Sequence, residues 1–120
     1  LSPHLQIYKP QITSLLSISH RISGVALNFV LVILVLGLLC ITLGESYFEL
    51  LISLINFFPI KIIIFLAILG FSYHFLNGIR HIIWDFGFLL GNRSSAIFGY
   101  VIIATSFISS IFISRLLGVF

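Results

Sequence analysis

The chain has 120 residues, 60% of them hydrophobic and 8% charged, with a mean hydropathy of +1.27, a balance that a water-soluble domain of this size cannot hide in its own interior. Six Lys or Arg against three acids give a formal charge of +3, but they lie outside three long apolar stretches and form no continuous face, which argues against nucleic-acid binding. The single cysteine, Cys40, sits deep in an apolar run as a small hydrophobe, and one cysteine excludes a four-cysteine iron–sulfur cluster.

No Pro-rich, Ser-rich or charge-run linker and no internal repeat divides the chain, so one domain over residues 1–120 is expected. The opening LSPHLQIYKPQ has neither the apolar core of a secretory signal nor the Arg-rich pattern of an import leader, so a leader is expected to have been removed or not required. Pro10 stops any helix upstream, and Thr13 and Ser14 are good N-caps for a first helix over about 14–43. Between Arg21 and Glu45 it carries no charge, and at about 1.5 Å per residue that stretch is long enough for a hydrocarbon core of about 30 Å. The connection GESYFELLISLINFFP holds Glu45, Glu49 and Pro59; its apolar middle is too short to cross and is expected to lie along the interface.

Pro59 suits the first turn of a second helix over about 59–86. Lys61 snorkels at one end of it, and Arg80, His81, Trp84 and Asp85 mark the other. The short loop GFLLGNRSS makes the second and third helices antiparallel neighbours, with Ser94 or Ser95 capping a third helix over about 94–117. The expected fold is an all-α integral membrane protein with three transmembrane helices, up-down-up, preceded by an interfacial segment over residues 1–13. Lys9, Arg21, Arg80 and Arg93 fall on one side and Lys61, Arg115, Glu45 and Glu49 on the other, so the N-terminus should face the cytoplasm or the mitochondrial matrix.

Ionisable groups inside a span are costly and call for a partner or a task. On the second helix His74, Asn77, Gly78, His81 and Asp85 share one face. A packing face hydrogen-bonded to neighbouring helices accounts for such a stripe; so does ligation of a haem iron by His74, with Gly70, Ser72 and Gly78 leaving room for a flat macrocycle. Residues seven apart are separated by about 10.5 Å along a helix, whereas two imidazoles on one iron place their nitrogens about 4 Å apart, so His74 and His81 cannot share it. Arg80 and His81 would then lie nearer the interface, as propionate partners or as interfacial anchors. His20 lies at the membrane boundary and His74 deeper, so a second axial histidine is expected from another subunit. On the first helix Ser17, His20 and Arg21 follow i, i+3, i+4 spacing. Ser17 and Arg21 can hold a carbonyl-bearing headgroup, or Arg21 can snorkel to lipid phosphate while Ser17 fills a helix groove.

The stretches LSPHLQIYKPQ, TSLLSISHRISGV and YHFLNGIRHIIWDFG, which cover about a third of the chain in the right order, resemble the signature blocks of the cytochrome b subunits of succinate dehydrogenase, in the form found in mitochondria and their bacterial relatives. The resemblance implies that His74, opening HxxNGIRH, is an axial ligand of a haem b shared with a second small anchor subunit. It implies that Ser17 and Arg21 help form the ubiquinone site, that Arg80 and His81 lie close to the haem propionates, and that SPHLQIYKP lies on the matrix surface against the iron–sulfur subunit.

The reading is a membrane-anchor subunit of succinate:ubiquinone oxidoreductase, with flavoprotein and iron–sulfur partners carrying the succinate chemistry and no complete active site or catalytic residue in this chain. The expected location is the mitochondrial inner membrane with the N-terminus in the matrix, or the bacterial inner membrane in a prokaryote. The alternatives are a fumarate reductase anchor, in which the pocket runs in the other direction, and a purely structural assembly subunit without haem. A small transporter is disfavoured by the single polar intramembrane stripe.

Overall fold

The computed structural model describes residues 12–88 and 91–120, less the side chains of Thr13 and Asn92. The described residues are all-α, with four helices in chain order: α1 (Ile12–Leu43), α2 (Glu45–Asn56), α3 (Phe58–Asp85) and α4 (Asn92–Leu116). The expected interfacial segment falls almost wholly outside the described residues. Among the described residues three stretches are long and apolar enough to cross a membrane: Ser14–Leu43, Phe58–Asp85 and Arg93–Leu116. The 12 residues of α2 rise only about 18 Å, well short of the hydrocarbon thickness of about 30 Å.

Helix boundaries follow local chemistry. Pro59 occupies the first turn of α3, where its missing N–H has no intrahelical acceptor to lose. The third span departs from the expected cap: α4 starts at Asn92 with Gly91 as N-cap and no side-chain capping bond. Ser95 lies inside the first turn instead, its N–H on the Gly91 carbonyl at 2.8 Å and its hydroxyl accepting from Arg80. A guanidinium that has left water outcompetes a backbone amide for that oxygen. Both α3 and α4 end in Schellman turns. Gly87 and Gly118 take φ of 86° and 77°, and the next residues, Phe88 and Val119, donate back to Ile83 and Ser114 at 3.1 and 3.0 Å. Lys61, expected to snorkel, donates to the Val119 carbonyl at 2.8 Å and ties the end of α4 to the start of α3.

The bundle is turned inside out relative to a water-soluble protein. Large apolar side chains such as Phe29, Leu31, Ile33, Phe71, Phe75 and Phe112 are exposed, as expected where the solvent is lipid and burial of a hydrocarbon side chain gains little. Among the described residues the largest fully buried side chains are Arg80, Asn77, Ser106, Ser110 and Ser114. Along α4, Ser95, Gly99, Ile102, Ser106, Ser110 and Ser114 form one buried stripe, and small side chains there let the helices approach closely. Ser106 and Ser110 satisfy their hydroxyls on their own helix, donating to the carbonyls of Ile102 and Ser106 at 2.7 and 2.6 Å. Leu16 of α1 closes the other side by packing onto Gly99.

Candidate functional site

Helices α1 and α3 meet along the polar face of α3 read from the sequence, but on α1 only His20 of the expected Ser17, His20 and Arg21 set turns to it, while Arg21 stays exposed. His20, Ser23 and Gly24 of α1 follow i, i+3, i+4 spacing and turn toward α3, where His74, Gly78 and His81 answer them. The rings of His20 and His74 stack with centroids 4.0 Å apart and planes within 2°. His81 reaches the same cluster, its ring 5.3 Å from that of His20 and tilted by 55°. The position of Gly24 allows this approach, since a Cβ there would lie 3.0 Å from Cε1 of His74. One residue earlier on α3, Tyr73 donates its hydroxyl to the Leu16 carbonyl at 2.5 Å, a second clasp between the same helices.

Hydrogen bonds set the orientation of His74. Its Nδ1 lies 3.1 Å from the Ser23 hydroxyl and 3.3 Å from the His20 carbonyl, while the Ser23 hydroxyl itself donates to that carbonyl at 2.8 Å. Both oxygens engage Nδ1, which leaves Nε2 as the ring nitrogen for any further partner. His20 contributes a buried Nδ1 with no hydrogen-bond partner among the described residues.

Arg80 turns from the histidine cluster toward α4, where it is fully buried. Its two terminal nitrogens donate to Asn77 Oδ1 at 3.2 Å and Ser95 Oγ at 3.1 Å, and its guanidinium carbon lies 4.1 Å from the centre of the Trp84 ring. The opposite edge of that arrangement is held by His81, whose ring meets Trp84 edge-on at 5.2 Å. Nε of Arg80 has no partner among the described residues. Neutral oxygens and an aromatic face offered by α3 and α4 thus replace water around the buried charge of Arg80.

The sequence-derived residues thus divide into groups. His20, His74 and His81 come together between α1 and α3, and the expected separation of His20 from a deeper His74 gives way to direct stacking. Arg80 shares α3 with them but faces α4. Ser17 is half-buried and Arg21 exposed on α1. Ser23, Gly24, Tyr73 and Ser95 were missed. Ser23 and Gly24 carried a signal, being three and four residues after His20; Ser95 carried only its place near a helix start, which suggested a cap.

Comparison with known proteins adds an independent line. Residues 1–113 match the family described as succinate dehydrogenase/fumarate reductase transmembrane subunit. The chain is 44% identical over 105 residues to the succinate dehydrogenase cytochrome b556 subunit of Rickettsia typhi, covering 88% of this chain and 82% of that one. It is 45% identical over 96 residues to the succinate dehydrogenase cytochrome b560 subunit of Marchantia polymorpha, covering 75% and 69%. With the cytochrome b560 subunit of Reclinomonas americana it shares 39% identity over 114 residues, covering 90% and 78%.

Proposed function

Because the chain belongs to the family of succinate dehydrogenase/fumarate reductase transmembrane subunits, we propose that it anchors a succinate:ubiquinone oxidoreductase in the membrane, holds haem b jointly with a second small anchor subunit, and contributes to the site of ubiquinone reduction. The observation that carries this reading is His74, an imidazole inside a span whose Nδ1 is engaged by two oxygens of α1 and whose Nε2 is left to ligate. The surroundings fit an axial ligand: metal-bound histidines hold their second nitrogen on a carbonyl or similar oxygen, and Gly24 gives the ring a cradle that a methyl group would crowd. When bound, haem b supplies a one-electron redox centre in the membrane.

His20 is unsuited to be the opposite ligand. The lone pairs of an imidazole lie in its ring plane, and two rings stacked at 4.0 Å direct theirs along parallel planes rather than toward a common point. That geometry supports a histidine from the second anchor subunit. His81, half-buried beside His20, and Arg80, through the Nε that its α4 contacts leave, are the propionate contacts in this reading. Arg80 is the more constrained of the two, with its other nitrogens spent on Asn77 and Ser95.

Ser17 and Arg21 bind the quinone. They lie one turn apart on α1 with Arg21 exposed, so both can donate to one carbonyl oxygen, and the guanidinium favours the negative charge that reduction places there. The N-terminus faces the matrix, or the cytoplasm of a bacterium, where flavoprotein and iron–sulfur subunits dock and carry the succinate chemistry; the membrane is the mitochondrial or bacterial inner membrane.

A reduced-minus-oxidised absorption spectrum of the purified complex tests the haem assignment. His74→Ala is expected to abolish the b-type band, and an unchanged band removes His74 as ligand. Arg21→Ala is expected to slow quinone reduction about tenfold or more, from the loss of a charge-assisted hydrogen bond of about 1.5–3 kcal/mol. A wild-type rate removes Arg21 from the quinone site.

A further inference from the structure

Ser23 belongs to none of the groups assigned above, yet it touches the residue on which the haem reading rests. We propose that Ser23 is a positioning residue that, together with the His20 carbonyl, locks His74 into the tautomer protonated at Nδ1 and tunes the electron density at Nε2; the proposal rests on His74 being the haem ligand.

Counting protons leads there. A serine hydroxyl has one hydrogen, and Ser23 can spend it on the His20 carbonyl at 2.8 Å or on His74 Nδ1 at 3.1 Å. If it goes to the carbonyl, the shorter contact, the same oxygen accepts from Nδ1. The His20 carbonyl, 3.3 Å from Nδ1, can accept and never donate. Were Nδ1 unprotonated, the hydroxyl could turn to it, but the His20 carbonyl would then face the Nδ1 lone pair at 3.3 Å and the Ser23 oxygen at 2.8 Å with no hydrogen in either contact, inside a membrane span where no water relieves the repulsion; a proton on Nδ1 gives all three contacts a hydrogen. Nδ1 therefore carries the hydrogen, shared between the two acceptors, and the Nε2 lone pair is the one left to bind.

The arrangement is built by α1 alone. His20 and Ser23 are three residues apart, so the serine back-bonds to the carbonyl one turn before it and holds its oxygen in place without help from another helix. Gly24, next in the chain, allows the His74 ring to come within reach of both oxygens. An acceptor on Nδ1–H makes the ring a stronger donor through Nε2, which favours the oxidised, more positive iron. Losing that acceptor weakens the preference and raises the midpoint potential.

The test compares wild type, Ser23→Ala, Ser23→Thr and His74→Ala in the assembled complex, by redox titration of the b-type absorption band. Ser23→Ala should shift the ratio of reduced to oxidised haem at a fixed potential about three- to tenfold toward reduced, tenfold being 59 mV for one electron. Ser23→Thr keeps the hydroxyl and should restore the wild-type midpoint. Should Ser23→Ala fail to assemble, Ser23→Cys, with its weak sulfur acceptor, must move the midpoint in the same direction. A wild-type midpoint in Ser23→Ala, or lower haem content without any shift, overturns the role of Ser23 while His74→Ala still abolishes the band. A band that survives His74→Ala overturns the ligand reading itself, and with it this proposal.

Discussion

The imidazoles of His20 and His74 lie face to face, 4.0 Å apart and parallel within 2°, although they belong to different membrane helices. Stacking of this kind buries one face of each ring against the other and fixes the depth at which α1 and α3 register. In the proposed haem reading it also separates the roles of the two residues, one ring ligating and the other supporting it.

That separation gives a spectroscopic prediction. In the assembled complex, His20→Gln should retain most of the b-type absorption band, whereas His74→Gln should lose it. Reduced-minus-oxidised spectra normalised to protein check this, and equal loss in both variants would contradict the division.

Arg80 and Ser95 should be energetically coupled. Ser95→Ala leaves a buried guanidinium N–H without its acceptor and should destabilise the bundle by about 1–3 kcal/mol. Arg80→Met should cost less than a lost hydrogen-bond pair suggests, because it also removes a charge that is expensive to hold out of water. The double variant should therefore be more stable than the sum of the single changes implies, with a coupling of about 0.5–3 kcal/mol. Unfolding of the purified complex in detergent, followed by circular dichroism, measures all corners of the cycle; strict additivity would show that the 3.1 Å contact carries no weight.

Size rather than polarity should matter along the serine stripe of α4. Ser106→Ala and Ser110→Ala remove hydroxyls that bond only to their own helix and should change stability by less than about 0.6 kcal/mol, the mean for interhelical hydrogen bonds in membranes. Ser110→Leu forces a larger side chain into a fully buried site and should cost about 1–3 kcal/mol. The same detergent unfolding assay separates the cases, and a Leu variant as stable as the Ala variant would mean that close packing at this position is dispensable.

Much of the architecture is legible in the sequence because lipid imposes a one-dimensional rule. Three uncharged runs must form helices of nearly fixed length, and Pro59 marks where one begins. The polar face containing His74 and His81, and that containing Ser17, His20 and Arg21, follow from helical spacing alone. The stripe Ser95, Ser106, Ser110, Ser114 has the same periodicity, but serine is small and common, and only its burial distinguishes it from filler.

What the sequence by itself determined is the number of spans and the face of each helix on which its costly groups lie, because backbone satisfaction in lipid and the 3.6-residue turn are local constraints. What only the tertiary structure decided is which faces meet and in what register: His20 against His74, Ser23 on Nδ1, Arg80 buried against Ser95 of α4. Those pairings depend on the rotation and relative height of whole helices, quantities set by the summed fit of small residues along both surfaces and encoded in no single stretch of the chain.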